Sequence, residues 1–203
     1  MKTFRIFRMA ILAILMCVNF AACSNDDEEI DFNKTELMIN GEHFMAYSWG
    51  CYDETNTKTD VCSTFVYEKS QYKDEKGRVI DCYDEYFNGG IEGELSNKIF
   101  CDIELFISGV EIGNNKKSFN AFKKGNVDLT QYSKYVAFSI NTDNGNFSSY
   151  NSNKSGKIYL KSFTSNALTL SFESYTLTEA NTSIILNGSI CFKYSTARVN
   201  NPL

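Results

Sequence analysis

The side chains best suited to acid–base catalysis are scarce in this sequence of 203 residues. His43 is its only histidine, so a Ser-His-Asp or Cys-His site would have to use it. It lies just after the dipeptide Asn40-Gly41, which favours a tight turn, and a histidine beside a turn is typically structural or solvated. No G-x-S-x-G pattern surrounds any serine. The sequence therefore does not predict a histidine-dependent enzyme.

Carboxylates are the remaining candidates for catalysis. A glycoside hydrolase needs two of them, about 5 to 9.5 Å apart, flanking the bond that it cleaves. The acids available for such a pair are Asp53, Glu54, Asp81, Asp84 and Glu85. Acids at strand ends are usually just solvated, so we predict that the protein is not an enzyme. A carboxylate-dependent surface hydrolase is the alternative.

The cysteines could supply disulfides, metal ligands or modified thiols. Cys51 and Cys62 flank a polar loop, and we expect them to oppose each other across a hairpin as a disulfide. Cys82 with Cys101 is the next pairing, and it leaves Cys191 over. The alternative is that the cysteines stay free and serve as small hydrophobic side chains in strands. The chain has no C-x-x-C and no zinc-type spacing, so no zinc site is expected.

The loop "TDNGN" is rich in oxygen ligands that suit calcium, contributed by Asp143, Asn144 and Asn146. The same residue types are the usual occupants of a tight turn, and their spacing does not fit an EF-hand. We therefore predict a turn at this position. Neither a metal nor a cofactor is expected.

The stretch "AACSNDDEEID" places a cysteine after small residues and before a block of acids. Upstream of it stand three basic residues and an apolar run over residues 9–18, which is too short to span a membrane. This succession resembles a bacterial lipobox, with Phe20 in place of the usual leucine. The resemblance implies that residues 1–22 are a lipoprotein signal peptide and that Cys23 carries a diacylglycerol thioether and an N-acyl chain, such as palmitate. A secreted protein with an unmodified Cys23 is the alternative.

The residues after Cys23 form the second part of this signal. Residues 23–34 contain too little apolar surface to fold and are expected to be a solvated tether. The acidic tract also resembles the export signal of surface lipoproteins from Bacteroidota such as the Bacteroidales, which implies an outer-membrane location facing the cell exterior. The residues that carry this resemblance are Ser24, Asp26, Asp27, Glu28 and Glu29.

The balance of acidic and basic residues limits the classes of partner that the protein is expected to bind. The chain has 25 acidic and 20 basic residues, and no run of lysine or arginine stands out. This composition argues against a nucleic-acid partner. The expected partners are the membrane, through the lipid anchor, and a glycan or an envelope protein.

The hydrophobic pattern predicts β-structure throughout residues 35–203, which we expect to form a single domain. "NKIFCDIELFISG" alternates apolar and acidic side chains, as in a strand with one dry face. Asn40-Gly41 predicts a hairpin, and Met45, Tyr47 and Trp49 are expected to share its core face. Roughly ten short strands without an amphipathic helix predict an all-β antiparallel β-sandwich. A lipocalin-like β-barrel, which would act as a small-ligand carrier, is the alternative.

The C-terminal pattern "SGKIYLKSFTSNALTLSFESYTLT", followed by "ILNGSICFKY", resembles the end of small uncharacterised Bacteroidales lipoproteins. That resemblance implies location and β-class but attaches no activity. Aromatic rings beside acids before "NGG" form the predicted binding surface: Tyr83, Tyr86 and Phe87. The sequence thus predicts a surface lipoprotein that serves as a non-enzymatic binding or envelope-assembly module.

Overall fold

Long strands dominate the part of the chain that the computed structural model describes, which comprises residues 35–47, 51–52, 58–59, 63–113, 115–149 and 153–201. Cys23, the acidic tract, Trp49, Asp53, Glu54 and Cys62 lie outside these residues, and nothing is described of the Cys51 side chain. The predictions of lipidation, export and the Cys51–Cys62 disulfide therefore stay predictions.

The described residues form fifteen strands and two short 3₁₀ helices, Phe119–Ala121 and Leu129–Tyr132. The strands are β1 (Met38–Ile39), β2 (Glu42–Ala46), β3 (Cys51–Tyr52), β4 (Lys58–Thr59), β5 (Ser63–Lys73), β6 (Val79–Leu95), β7 (Phe100–Ser108), β8 (Val110–Glu111), β9 (Lys116–Ser118), β10 (Val127–Asp128), β11 (Val136–Thr142), β12 (Gly145–Ser148), β13 (Asn153–Phe163), β14 (Ala167–Glu179) and β15 (Thr182–Asn201).

Thirteen of these strands belong to one sheet, whose main path runs β10-β13-β14-β15-β1-β2-β6-β7-β11-β12. β5 lies between β15 and β6, and β3 pairs with β4 separately. The all-β class is confirmed. Two pairings, β15 with β5 and β6 with β9, are parallel, whereas the others are antiparallel. Several strands are also longer than expected; β15 alone has 20 residues.

Alternation along the strands builds the core. In β7, the odd-numbered residues Cys101, Ile103, Leu105 and Ile107 are buried, while the acids between them face outward. We describe the sheet as two halves: β13, β14 and β15 up to Lys193 form one, and β5, β6, β7 and β11 form the other. Rings from the two halves meet across this core, where the ring centroids of Phe87 of β6 and Phe192 of β15 are 6.0 Å apart. The two halves therefore bury their apolar faces against each other.

The β1–β2 hairpin confirms one sequence prediction and corrects another. Asn40 and Gly41 both have positive φ, at 53° and 83°, as the Asn-Gly turn predicts. The core face of β2, however, is not the one that was expected, because Phe44 is buried whereas Met45 is 43% exposed. The pairing of Phe44 with Leu95 fixes this register, and a shift of one residue exchanges the two faces of a strand.

The predicted pairing of Cys82 with Cys101 is wrong. Cys101 lies opposite Gly93 of β6, eleven residues along the same strand from Cys82. At roughly 3.3 Å per residue, eleven residues of strand span on the order of 30 Å, whereas a disulfide needs Cα atoms within about 7 Å. Cys82, Cys101 and Cys191 are all free. Burial raises the pKa of the Cys101 thiol to about 12, so this cysteine acts as a hydrophobic side chain.

Candidate functional site

The structure does not bring the three predicted binding-surface residues together. All three lie on β6, but successive side chains of a strand point to opposite faces. Phe87 is fully buried in the core. Tyr86 lies on the opposite face, where its ring centroid is 5.8 Å from that of Phe106. Tyr83 shares the face of Phe87 but lies four residues further along the strand, beyond the core, and is 41% exposed.

Tyr83 is exposed because the two halves of the sheet differ in length at this end. β15 pairs with β14 only as far as Lys193, and from Tyr194 onward it pairs with β5. β14 begins at Ala167, so it does not follow β15 into this region. The strands β5, β6 and β15 therefore continue past the last core layer, formed by Phe65, Phe87 and Tyr194, with no strand of β13–β14 opposite them.

Beyond that layer, the core-side face of these strands changes from apolar to polar and aromatic. Residues at this end of β5, β6, β9 and β15 line an open hollow of about 400 Å³, which we call the end cleft. Its principal side chains are Tyr67 and Lys69 of β5, Tyr83 and Glu85 of β6, Lys116 of β9 and Arg198 of β15. The β5–β6 hairpin, β9 and the end of β15 thus supply one surface.

The parallel pairing of β9 with β6 positions one wall of the end cleft. Lys116 lies in register with Tyr83, and the Tyr83 N–H donates to the Asn115 carbonyl at 3.1 Å. Gly109 makes this approach possible, because its N–H donates to the Glu85 carbonyl at 2.7 Å and a Cβ at Gly109 would lie only 2.8 Å from the same oxygen. Glycine at position 109 therefore lets the β8–β9 segment pack directly on β6.

The carboxylates of this region are all bound to donors. The Lys69 Nζ is 3.1 Å from Asp81 Oδ2, and the Lys117 Nζ is 3.4 Å from Asp84 Oδ2. Glu85 Oε2 accepts the Phe119 N–H at 2.5 Å, and Glu85 Oε1 lies 3.7 Å from the Lys123 Nζ. These contacts stabilise the wall of the end cleft, and each of these carboxylates already has a hydrogen-bond or ion-pair partner.

Hydrogen bonds from Gln71 and then Lys69 lower the pKa of the Asp81 carboxyl. A general acid must instead hold its proton near neutral pH, which requires a raised pKa. Asp81 is therefore unsuited to protonate a leaving group. Among the acids that the sequence offered for a catalytic pair, neither Asp84 nor Glu85 is free of a basic partner.

Two cations of the end cleft contact aromatic rings instead of acids. The Lys116 Nζ lies 6.0 Å from the centroid of the Tyr83 ring, and the guanidinium carbon of Arg198 lies 5.8 Å from that of Tyr67. Within the described residues, neither cation forms an ion pair with a carboxylate. A ring face offsets part of the cost of leaving water but neutralises no charge. Lys116 and Arg198 therefore remain available to an anion.

A second hollow, of about 450 Å³, lies on the outer face of the sheet. There Glu92 is directly opposite Asp102, and Gly90 is opposite Glu104. Burial raises the pKa of the Asp102 carboxyl, with a smaller contribution from the charge of Glu104, while a hydrogen bond from Asn141 opposes the shift. Sequence reasoning did not single out this group, although the alternation of β7 places its acids on one outward face.

The residues considered as calcium ligands lie in or beside the turn that the sequence predicts. The predicted turn carries Asp143, whose carboxylate accepts the Phe100 N–H at 3.2 Å. No group of three or more His, Cys, Asp or Glu side chains is arranged to hold a metal ion in the described part of the chain. None of the helices formed by the described residues has the length and apolar character needed to cross a membrane.

Comparison of the chain with protein-family models, with curated proteins and with solved structures gives no match. Sequence reasoning identified Tyr83 but missed Tyr67, Lys116 and Arg198. The available signal was the segment "YEKSQYK" of β5, where the apolar alternation stops while the strand continues.

Proposed function

We propose that this protein is a lipid-anchored binding module that faces the cell exterior and holds a ligand without turning it over. The observation that carries the proposal is the end cleft, an open space lined by aromatic and charged side chains from four segments. Concave sites with a few convergent polar groups are the usual form of ligand pockets, and about 400 Å³ falls in their usual size range.

The geometry supports binding more than structural support. Tyr67 and Lys69 continue the same face as Phe65, whose ring centroid is 4.9 Å from that of Tyr67. If this extension of the sheet had only a structural role, its face would need no more than polar side chains in contact with water, or a segment that covers it. Here the face also displays the ring of Tyr83, which is 41% exposed and offers a flat surface to a ring-shaped ligand.

Loss of the Tyr83 ring is expected to abolish most binding. In a screen of glycans, peptides and outer-membrane proteins, the Tyr83→Ala variant should bind its ligand at least about tenfold more weakly than the wild type, since a stacked ring contributes about 1–3 kcal/mol. Binding is measured by calorimetry, and ligand breakdown by chromatography of the same mixtures.

The matched control is Tyr159→Ala. Tyr159 also lies under a lysine, with the Lys161 Nζ 5.1 Å from its ring centroid, but it belongs to β13. This variant should bind like the wild type. If both variants bind equally well, the end cleft is not the binding site.

The acidic tract is proposed to carry the domain to the outside of the cell. Replacement of Asp26, Asp27, Glu28 and Glu29 by alanine should leave the protein anchored but protected when protease is added to intact cells. The wild-type domain should be cleaved under the same conditions, and lysed cells serve as the control for intrinsic cleavability. A tetra-alanine variant that stays accessible would show that the tract is only a tether.

A carboxylate-dependent hydrolase is the second candidate, and the raised pKa of Asp102 opposite Glu92 is the observation that favours it. A carboxyl with a raised pKa that lies across from a second carboxyl is an arrangement that glycoside hydrolysis uses. The ligand screen distinguishes the two functions, because ligand breakdown that is lost in Asp102→Asn but kept in Tyr83→Ala would favour the enzyme.

We also favour a sandwich over a lipocalin-like barrel. β10 and β12 end the main path of the sheet and pair with β13 and β11, and no pairing between β10 and β12 joins them in the described residues. Large side chains such as Phe87, Phe138 and Phe192 fill the space between the two halves. The proposed ligand therefore binds at the end of the fold and not inside it.

A further inference from the structure

We propose that the ligand of the end cleft is an acidic glycan, whose negatively charged group is held by Arg198 and Lys116 while a sugar ring lies against Tyr83. This inference rests on the proposed binding function and specifies its ligand. It assigns a role to two cations that come from strands far apart in the sequence.

Among the described residues, the end cleft contains cations with acidic partners and cations without them. Lys69 and Lys117 have acidic partners at 3.1 Å and 3.4 Å, so their charges are already balanced within the protein. Arg198 and Lys116 have only ring contacts in the described part of the chain. The chain as a whole has an excess of acidic residues, so a pair of unbalanced cations in a cavity is a local departure from its charge.

The nearby acids form no ion pair with these two cations in the described residues, although Glu68 has no basic partner of its own. Glu85 accepts the Phe119 N–H and lies beside Lys123, and Glu68 accepts the Asn201 Nδ2–H at 2.9 Å. An incoming anion thus meets cations without having to displace a carboxylate. The planar guanidinium of Arg198 suits a carboxylate or a sulfate, because it can donate two parallel hydrogen bonds to either.

The shape of the end cleft favours a sugar over an acidic peptide. Peptides that add to sheets bind along a strand edge, where unpaired backbone groups supply the hydrogen bonds. One edge of β15 is unpaired beyond Lys193 in the described residues, but Tyr83 and Lys116 lie on β6 and β9, separated from that edge by β5. Tyr83 is 41% exposed there, which leaves part of its ring open to a flat ligand.

The test uses the full-length protein in detergent and four probes: an oligogalacturonate, the same oligosaccharide as its neutral methyl ester, a sulfated oligosaccharide and an oligoglutamate peptide. We expect at least one of the two acidic sugars to bind at least about tenfold more tightly than the methyl ester, since hydrogen bonds between charged groups are the stronger ones. Binding should weaken as salt is raised.

Arg198→Gln and Lys116→Gln should each weaken binding of the acidic sugar by about tenfold. Lys161→Gln is the matched control, because Lys161 also lies over a tyrosine ring without an ion pair and should leave binding unchanged. Arg198→Lys separates planar recognition from charge alone, and only planar recognition predicts a loss. Circular dichroism of each variant checks that the fold is retained.

Each contrary outcome has a distinct meaning. Equal binding of the acid and its methyl ester, lost in Tyr83→Ala, would overturn the acidic ligand but keep the proposed binding function. Tight binding of oligoglutamate alone would replace the glycan by an acidic protein partner. Binding of an acidic sugar that Arg198→Gln and Lys161→Gln weaken equally would show a diffuse charge effect, and binding of none of the four probes would overturn the inference.

Discussion

Replacing Cys23 by alanine is expected to move the protein from the membrane fraction to the soluble fraction of a Gram-negative host. The physical reason is that membrane attachment is proposed to depend on acyl chains bound to this one residue. Each buried methylene contributes about 0.8 kcal/mol, so one chain holds a protein only marginally and two or more hold it stably. Fractionation followed by immunoblotting measures the change, and mass spectrometry of the N-terminal peptide should show the acyl groups in the wild type only.

Cys82→Ala is the control for the loss of a thiol elsewhere. Cys82 is free and half-buried on β6, so its removal should leave the protein in the membrane fraction. Equal retention of the Cys23→Ala variant in membranes would contradict the lipid anchor. It would leave the alternative of a secreted protein that associates with the envelope through its β-domain.

Replacing Phe87 by alanine is expected to lower the free energy of unfolding by about 3–5 kcal/mol, the usual cost of removing a buried aromatic ring. Phe87 has no exposed surface, and its ring contacts those of Phe192 and Tyr194, with centroids 6.0 Å and 5.7 Å away. The contact with Phe192, in the part of β15 that pairs with β14, joins the two halves of the sheet. Since small domains are stable by only about 5–15 kcal/mol, this loss is a large part of the total. Urea denaturation followed by tryptophan fluorescence measures it.

Tyr83→Ala is the matched control, because Tyr83 is an aromatic residue on the same face of the same strand. It is 41% exposed, and its hydroxyl donates to Asp81 Oδ2 at 3.3 Å. We expect a loss of less than about 1 kcal/mol, as is usual for surface substitutions. Similar losses from both variants would mean that the end cleft is part of the core and not an open site.

The sequence by itself determined the all-β class and the faces of several strands. The alternation of β7 and of residues 168–172 of β14 is strict enough to identify buried residues such as Ile103 and Leu170, because one dry face imposes a period of two. Asn40-Gly41 identified its turn, because both residues tolerate positive φ. The proposed lipidation of Cys23 also rests on the sequence alone, because the resemblance to a lipobox depends on local residue types.

Only the tertiary structure decided which faces are covered. A period of two assigns Tyr83 and Phe87 to one face, but burial depends on how far the opposite strands extend, and β14 begins at Ala167. The same limit explains Met45, whose exposure follows from the register of β2 against β6. Arg198 joins Tyr67 only through the parallel pairing of β15 with β5, a long-range contact that no local pattern specifies. Most core residues can therefore be predicted from the sequence, whereas the end cleft forms only because strands of unequal length lie next to each other in the fold.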